Sequence, residues 1–376
     1  MSNYNLISCV WEFTLACNLR CIHCGSTAGE KRENELTTKE AIELCYDLKK
    51  TGCRSVALMG GEPFLRGDFW IVAQKIKELG MELSIITNGT VYNEDTFKKL
   101  RDLNPQAVAT SIDGATSETH DRIRGVKGSF NKTLYFIEKA LSFGLPVSVI
   151  TTVSKLNISQ LEGIKDIIKG KNIAWQVQVS GIEGGRFDKK YLIDEEEFYA
   201  VGLFLEAMRR KYSVVELPLI GAHDLGYNSC IIRSIYLYDK WVGCQAGITV
   251  CGIRSNGDVI GCLAINNDNY IEGNIRKRRF YDIWNDKDSF KYTRYFMIED
   301  AGENCKNCKY IYDCKGGCCD MSLSTTGVFH NDPYCFYKIE IKNMSFLKRK
   351  YFEFISKINY KRDLEFLKKI FSGIRR

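Results

Sequence analysis

The stretch CNLRCIHC, at residues 17–24, places three cysteines within eight positions just after an apolar run. The chain has 376 residues and 16 cysteines, and its opening, MSNYNLISCVWEF, lacks the basic and apolar regions of a secretion signal. No segment approaches the ~18 consecutive apolar residues that suggest a membrane span. We therefore expect reduced thiols in a cytoplasmic protein, where clustered thiolates usually hold metal.

The number of thiolates in this stretch bears on which metal they hold. A structural zinc site needs four ligands, but no further cysteine or histidine pair follows within about twenty residues, and His23 would have to fold back. Three thiolates on a cubane iron–sulfur cluster instead leave one iron open. Cys17, Cys21 and Cys24 have the CxxxCxxC spacing of the radical S-adenosylmethionine (SAM) superfamily, which the chain resembles. In that family the open iron binds SAM through its amino and carboxylate groups; a fortuitous cysteine cluster is the alternative.

The segments that follow predict the fold that would carry such a cluster. Short β-rich runs alternate with helical patterns from ISCVWEFT, at residues 7–14, to IAWQVQVS, at residues 173–180. Six strand–helix pairs at this spacing predict parallel β/α units with right-handed connections. The predicted fold class is therefore α/β, a partial (β/α)6 TIM barrel with a C-terminal cysteine-rich iron–sulfur domain. In such barrels the chemistry lies at the carboxyl ends of the strands, and residues 17–24 follow the first strand.

The other strand ends carry glycine or polar motifs that resemble the SAM site of the same family. GGEP follows the second strand, TNG the third, SIDG and then RIRG the fourth, and a Gly-Arg pair, Gly185 and Arg186, the sixth. The resemblance implies these SAM-binding residues: Gly60, Gly61, Glu62, Pro63, Asn88, Ser111, Asp113, Arg124 and Arg186. Taken singly, each motif is also typical of an ordinary turn, strand exit or helix end.

Roles within this set follow from the resemblance alone. It implies that the GGEP segment, with Glu62, receives the SAM amino group and that Asn88 adds a polar contact. Ser111 and an arginine about one turn later would hold the SAM carboxylate. Arg124 matches that arginine better than Arg122, although its spacing is one residue longer than the family's, so both arginines are candidates.

A second cysteine system occupies the latter part of the chain. A GxxxxC unit ending at Cys262 is followed by CKNCKYIYDCKGGC, at residues 305–318, and by a late cysteine. The pattern resembles the SPASM extension of radical SAM enzymes, which implies two auxiliary cubane clusters with four thiolates each. By that resemblance the first is held by Cys244, Cys251, Cys262 and Cys318, and the second by Cys305, Cys308, Cys314 and Cys335. A zinc ribbon is the alternative, but it does not account for eight spaced ligands.

Two positions in this assignment are open. Cys251 is the ligand that varies among related proteins, some of which leave that iron open to substrate, and Cys319 could replace its neighbour Cys318. The cysteines that no cluster uses are expected to be mostly buried small hydrophobic residues: Cys9, Cys45, Cys53 and Cys230.

Three regions are predicted along the chain: the barrel at residues 1–215, the SPASM domain with its bridging segment at 216–345, and a basic amphipathic helix at 346–376. This last region holds ten Lys or Arg and three acids, an excess equal to the net charge of +7 for the whole chain. A helix packed on the core with a solvated basic face is the favoured interpretation, and a contact surface for an acidic peptide or membrane is the alternative. Nucleic acid is excluded as a partner, because the basic residues are confined to one tail.

The cofactors implied by the resemblance, SAM and three [4Fe-4S] clusters, predict the reaction class. One electron from a flavodoxin or ferredoxin would cleave SAM to a 5′-deoxyadenosyl radical, which abstracts a substrate hydrogen. Two auxiliary clusters offer a path for a second electron, so we expect net oxidation or cross-linking. No catalytic base is assigned.

The substrate is predicted less directly. A ribosomally made peptide is the first choice, as for related peptide maturases. Sixteen residues before Cys17 leave no room for a leader-binding domain, so a separate leader-binding protein could be a partner. Anaerobic sulfatase maturases carry an aspartate after the GxxxxC cysteine, where this chain has Leu263. A small-molecule oxidoreductase acting on a sugar or amino-acid derivative is the alternative, and a non-enzymatic iron–sulfur scaffold is the remote one.

Overall fold

The structure is a computed structural model of the chain. It describes residues 4–181, 186–226, 228–233, 235–236 and 241–345. The predicted basic helix at residues 346–376 lies outside these ranges, as does Gly185.

Ten strands form one sheet in the part of the chain that the structure describes. They are β1 Ser8–Thr14, β2 Ser55–Gly60, β3 Glu82–Ile86, β4 Ala107–Ser111, β5 Val147–Val153, β6 Ala174–Val179, β7 Leu219–Gly221, β8 Val250–Ile253, β9 Asp258–Ile260 and β10 Gly273–Asn274. Their order across the sheet is β10-β9-β8-β1-β2-β3-β4-β5-β6-β7. Because β10 and β7 are the two edges of this order, the sheet is an open barrel, and the predicted fold class is confirmed.

The direction of the strands divides the sheet in two. Neighbouring strands from β1 to β7 are parallel, and β8 is parallel to β1. β9 and β10 are antiparallel to their neighbours. Parallel neighbours require crossover connections, and helices supply them in the barrel.

Twelve α-helices connect or cover the strands among the described residues. They are α1 Thr38–Lys50, α2 Phe69–Glu78, α3 Glu94–Leu103, α4 Ser117–Arg124, α5 Ser129–Ser142, α6 Leu161–Ile168, α7 Glu195–Lys211, α8 Phe280–Asn285, α9 Lys291–Arg294, α10 Ile311–Cys314, α11 Cys319–Thr326 and α12 Phe336–Asn343. Short 3-10 turns occur at Pro63–Leu65, Ile158–Gln160, Lys189–Tyr191, Asp268–Tyr270 and Ile298–Asp300.

The helix starts follow local capping chemistry. Thr37 caps α1 and forms a reciprocal capping box with Glu40, and Asp194 does the same for α7 with Glu197. Each box satisfies amide groups that the first turn leaves without partners, which makes the start of the helix readable from the sequence. α7 also has acids in its first turn and basic residues in its last, as the helix dipole favours.

One hydrophobic core extends from the barrel into the cysteine-rich region. Fully buried aromatic side chains such as Trp11 and Trp175 belong to the same cluster as Trp284 and Phe336, which come from the later part of the chain. Phe336 packs so closely on α7 that a β-carbon at Gly202 would lie 2.5 Å from its ring. The two regions therefore pack directly on each other.

The sheet itself also crosses the predicted boundary at residue 215. β7 pairs with β6 as a seventh parallel strand, and β8, from the predicted SPASM region, pairs with β1 at the other side. The cysteine-rich region therefore contributes strands to the barrel sheet. Sequence periodicity did not predict these strands, because β7 and β8 are only three and four residues long. No described helix is long and apolar enough to cross a membrane.

Candidate functional site

The loop of residues 17–24 leaves the carboxyl end of β1 and is held against the end of α4. The amide of Arg20 donates to the carbonyl of Arg124 at 3.1 Å, and the amide of Ile22 donates to that of Ile123 at 2.9 Å. Gly125 ends α4 with φ +73°, and a β-carbon there would lie 2.4 Å from the Arg20 carbonyl oxygen. The RIRG motif is therefore part of the support for the cysteine loop.

The glycine pair after β2 contacts the backbone that enters the same loop. The amides of Gly61 and Glu62 donate to the carbonyls of Thr14 and Ala16, both at 2.7 Å. A β-carbon at Gly60, where φ is +134°, would lie 2.3 Å from the Thr14 oxygen, and one at Gly61 would lie 2.0 Å from the Ala16 oxygen. Only glycine permits this backbone-to-backbone approach.

Glu62 is fully buried and joins the loops after β2 and β3. Its carboxylate accepts hydrogen bonds from the Thr87 hydroxyl at 2.9 Å, the Asn88 amide at 2.8 Å and the Phe64 amide at 3.2 Å. Burial raises the pKa of Glu62 to about 7, although these hydrogen bonds favour the charged form. Its oxygens are thus engaged by the chain itself, next to Pro63 at the start of a 3-10 turn.

Asn88 connects the loop after β3 with the cysteine loop. Its side-chain amide donates to Oδ1 of Asn18 at 2.8 Å, and its Nδ2 lies 3.9 Å from the sulfur of Cys17. Ser111 ends β4 and is half-buried. The expected polar residues at strands three and four therefore lie on the same side of the barrel as the cysteines.

Asp113, just beyond β4, is a buried carboxylate that contacts several charged or polar groups around the cysteine loop. Its Oδ2 lies 2.8 Å from His23 Nε2 and 2.5 Å from an Arg124 nitrogen, and its Oδ1 accepts from the Thr152 amide at 2.9 Å. Another Arg124 nitrogen lies 3.7 Å from the sulfur of Cys21. Burial opposes the charged form of Asp113, but Arg124 and His23 outweigh it and hold its pKa well below the usual range.

This arrangement distinguishes the two candidate arginines. Arg124 is buried beside Cys21, whereas Arg122 is exposed. Arg124 is already paired with Asp113 in this structure, so Asp113 positions the arginine that the family resemblance assigns to SAM. Sequence reasoning did not assign a role to His23, although its place between two motif cysteines was the available signal.

Arg186 lies against the other side of the cysteine loop. Its guanidinium donates to the carbonyl of Thr27 at 2.8 Å, to that of Ala28, and to that of Cys21 at 3.4 Å. Arg186 therefore contacts the segment that follows β1.

The thiols of this loop fit an iron–sulfur cluster in chemistry. Cys17, Cys21 and Cys24 interact electrostatically with one another, and burial raises the pKa of Cys17 to about 11. Burial likewise raises the pKa of Cys21, which the charge of Arg124 partly offsets. Buried thiols of this kind gain from exchanging their protons for metal, since metal binding deprotonates them.

The structure brings together a first group of auxiliary thiols: Cys244, Cys262, Cys318 and Cys319. The Cys319 thiol is hydrogen-bonded to Cys244, and both interact electrostatically with Cys262 and Cys318. Cys319, Cys244 and Cys262 also share one apolar cluster with Ile260. Together with Cys318, which interacts electrostatically with Cys244 and Cys262, these thiols are a suitable donor set for a cubane cluster.

Cys251, which the sequence assigned to this group, is placed differently. It lies in β8, fully buried, and stands opposite Cys9 of β1 in the parallel register. The two thiols are hydrogen-bonded to each other. Cys251 therefore takes part in the strand pairing between β8 and β1.

The second group lies around one cavity of about 200 Å³. Its wall includes all four thiols that the sequence assigned to this group: Cys305, Cys308, Cys314 and Cys335. Burial raises the pKa of Cys305 and Cys335 to about 12. A cubane cluster takes one thiolate per iron, so its ligands surround a volume, and these four do so. Among the described residues, no three His, Cys, Asp or Glu side chains converge closely enough to hold a single metal ion.

Comparison with known protein families agrees with both cysteine systems. The model of the radical SAM superfamily matches residues 11–168. The model of the SPASM iron–sulfur cluster-binding domain matches residues 244–309. The first match contains the cysteine loop and the strand-end motifs, and the second begins at Cys244 and ends after Cys308.

Full-length relatives have more than one activity. An AdoMet-dependent heme synthase of Methanosarcina barkeri is 29% identical over 340 residues, which cover 87% of this chain and 95% of that protein. An Fe-coproporphyrin III synthase of the same organism is 30% identical over 358 residues, 87% of each chain. The mycofactocin maturase MftC of Mycobacterium ulcerans is 26% identical over 314 residues, 83% of this chain and 82% of that protein.

Solved structures share the fold. The crystal structure of Streptococcus suis SuiB bound to S-adenosylmethionine matches with a TM-score of 0.70 at 19% identity, over 88% of this chain and 76% of that chain. Fold, cysteine groups and full-length relatives therefore agree. This chain belongs to the radical SAM superfamily, in the branch with a SPASM domain, and is an enzyme that uses SAM and iron–sulfur clusters.

Proposed function

We propose that this enzyme removes hydrogen from a ribosomally made peptide, giving net oxidation or a cross-link. The observation that carries the proposal is a contact between two cysteine segments: the side-chain amide of Asn266 donates to the Gly25 carbonyl at 3.0 Å. Gly25 follows Cys24, and Asn266 lies four residues after Cys262. The SAM-cleaving loop and the first auxiliary group are thus neighbours, as electron transfer out of an oxidised substrate requires.

The residues of the barrel would hold the cofactors at its open end. When bound, the first cluster and SAM supply a 5′-deoxyadenosyl radical that abstracts hydrogen from the substrate. Cys17, Cys21 and Cys24 would ligate that cluster. The glycine pair after β2 holds its loop against the backbone that leads into the cysteine loop. Arg124 presents a fixed positive charge that suits a carboxylate.

We further propose three [4Fe-4S] clusters in all, with a change to one ligand set. Cys319 takes the place of Cys251 beside Cys244, Cys262 and Cys318. Its thiol is hydrogen-bonded to Cys244 and interacts electrostatically with the other two, whereas Cys251 is hydrogen-bonded to Cys9. Cys305, Cys308, Cys314 and Cys335 hold the second auxiliary cluster around their common cavity.

A peptide substrate is supported by the relatives named maturases. The mycofactocin maturase is similar to this chain over 82% of its own length, so the likeness includes both the barrel and the SPASM region. A flavodoxin or ferredoxin would be the electron donor and a separate leader-binding protein a further partner. We also propose a cytoplasmic setting, because thiols that ligate clusters must remain reduced.

A tetrapyrrole is the second candidate substrate. It is favoured by the two Methanosarcina synthases, which are 29% and 30% identical over 87% of this chain. Both candidates would use the same SAM-cleaving site. This second candidate belongs to the small-molecule class that the sequence analysis kept open.

One experiment separates the candidates. Iron-loaded protein is incubated anaerobically with SAM and a strong reductant, and separately with a synthetic peptide from a short reading frame beside its gene or with Fe-coproporphyrin III. A peptide product that lacks one pair of hydrogens supports the first candidate, and conversion of the tetrapyrrole supports the second. Absence of any SAM cleavage by fully loaded protein would instead favour the iron–sulfur scaffold.

A further inference from the structure

Asp224, three residues beyond β7, is a buried carboxyl group with one oxygen left without a partner. Its Oδ2 accepts a hydrogen bond from the Val179 amide at 3.1 Å, whereas its buried Oδ1 has no hydrogen-bond partner. The residue is 9% exposed. Buried polar atoms without partners are rare in folded proteins, and each needs an explanation.

The hydroxyl oxygen of Ser180 is a second buried oxygen of this kind, and Ser180 adjoins the residue whose amide contacts Asp224. Ser180 follows Val179 at the end of β6, is 5% exposed, and its hydroxyl also lacks a partner. Both oxygens therefore lie at the carboxyl ends of neighbouring parallel strands, β6 and β7. This is the end of the barrel at which the chemistry of such folds occurs.

The same place borders both auxiliary thiol groups. A β-carbon at Gly181 would lie 3.6 Å from Oδ2 of Asp320, which follows Cys319 in α11. Asp332 lines the cavity of the second thiol group. Asp320 and Asp332 both interact electrostatically with Asp224, so this carboxyl group is near one residue from each of the two thiol groups.

The end of β6 is close in sequence to a residue that contacts the SAM-cleaving loop. Ser180 and Arg186 are six residues apart, and Arg186 contacts the carbonyl of Cys21. Six residues span at most roughly 20 Å, a length that an extended peptide of about the same number of residues covers.

We propose that Asp224 accepts the proton that the substrate loses when it is oxidised. The inference rests on the proposed function. One substrate hydrogen leaves as an atom and becomes part of 5′-deoxyadenosine. The remaining substrate radical gives one electron to an oxidised auxiliary iron–sulfur cluster and one proton to the Asp224 carboxylate, so the product lacks two hydrogens. An external one-electron donor supplies the electron for SAM cleavage.

The ionisation of Asp224 agrees with this role. Burial raises its pKa to about 7, and the carboxylates of Asp320 and Asp332 act in the same direction. Tyr236 also faces it; burial raises the pKa of Tyr236, and the charge of Asp224 adds to that effect. A base is most effective when its pKa is near the working pH. The position where sulfatase maturases carry an aspartate is Leu263 here, which packs on Gly252 of β8.

The first test measures the proton directly, without substrate. Infrared difference spectra of the iron-loaded protein should show a protonated carboxyl band that disappears with a midpoint near pH 7. The Asp224→Asn variant should lose part of that band. The Asp102→Asn variant, a control at an exposed aspartate, should keep the whole band. Glu62, whose pKa burial also raises to about 7, supplies the part that remains in both variants.

The second test uses turnover with the deuterated synthetic peptide, from which the proposed reaction removes two hydrogens. Asp224→Asn should still transfer deuterium into 5′-deoxyadenosine, while product falls about 100-fold or more. The wild-type ratio of product to 5′-deoxyadenosine should rise through pH 7, and Asp224→Glu should restore product with a shifted pH profile. Asp102→Asn should behave as wild type.

The outcomes are separable. Wild-type product yield from Asp224→Asn overturns the inference, and so does an infrared spectrum that the substitution leaves unchanged. If the Asp224→Asn variant loses iron, the Asp224→Glu variant tests the inference instead. An Asp224→Glu protein with its full iron content that makes no product would overturn the inference. Failure of the wild-type enzyme to take deuterium from the peptide refutes the proposed function, and the infrared test then still decides whether Asp224 binds a proton near pH 7.

Discussion

His23 and Asp113 are in direct contact, with 2.8 Å between Nε2 of the imidazole and Oδ2 of the carboxylate. Ninety positions separate them in the sequence, and both side chains are almost completely buried. Arg124 binds the same carboxylate and also contacts the sulfur of Cys21. The contact therefore ties the cysteine loop to the end of β4 and places a fixed positive charge beside a proposed cluster ligand.

Replacing Asp113 by Asn should destabilise this part of the barrel. The substitution leaves Arg124 buried without its counter-charge, a change that typically costs about 3–5 kcal/mol. Chemical denaturation should show that loss at pH 7, and iron bound by the cysteine loop should fall with it. Asp102→Asn, at an exposed position, is the matched control.

The same variant should show a defined pH dependence. The folded protein holds the pKa of Asp113 below its usual range, so its contribution to stability is present above about pH 4 and is lost as the pH falls below that value. The difference in unfolding free energy between wild type and variant should therefore shrink in acid. A constant difference between pH 7 and pH 3 would contradict this account.

Gly61→Ala should abolish SAM binding by moving the loop after β2. The new β-carbon would lie 2.0 Å from the Ala16 carbonyl oxygen, a backbone atom that cannot move without the cysteine loop. Calorimetric titration with SAM measures the effect on the iron-loaded protein. Gly67→Ala, where a β-carbon meets nothing within 4 Å, should bind SAM as wild type. Equal binding by both variants would show that the loop contact is not needed.

Cys319→Ala and Cys251→Ala should differ in iron content. Removing a ligand from the first auxiliary group should lower iron by up to roughly four atoms and change the paramagnetic resonance spectrum of the reduced protein. We expect that result for Cys319→Ala. Cys251→Ala should keep its iron and lose only the packing between β8 and β1. The reverse pattern would restore the ligand set inferred from family resemblance.

Replacing Cys308 and Cys314 together should separate SAM cleavage from product formation. Both thiols line the second auxiliary cavity and neither belongs to the first group. Deuterium from labelled substrate should still enter 5′-deoxyadenosine, while oxidised or cross-linked product disappears because the substrate radical has no acceptor. Circular dichroism and iron analysis must accompany the assay, since metal can hold such a region folded. Normal product yield from a folded variant without this cluster would refute the electron-exit role.

Local patterns were enough to predict much of this protein. The alternation of β-rich runs and capped helices predicted the partial barrel, because strand and helix periodicity and capping are properties of neighbouring residues. The spacing of Cys17, Cys21 and Cys24 and the cysteine run from Cys305 to Cys318 predicted the family for the same reason. A short motif brings its own ligands together wherever the chain places it.

Tertiary structure decided which distant residues meet. The position of Cys251, the burial of Arg124 but not Arg122, and the Asp113 contact with His23 all depend on how distant segments pack together. β8 pairs with β1 over a separation of about 240 residues, which aligns Cys251 with Cys9. Such pairings are determined by the packing of the whole core, a long-range property that the local sequence pattern does not contain.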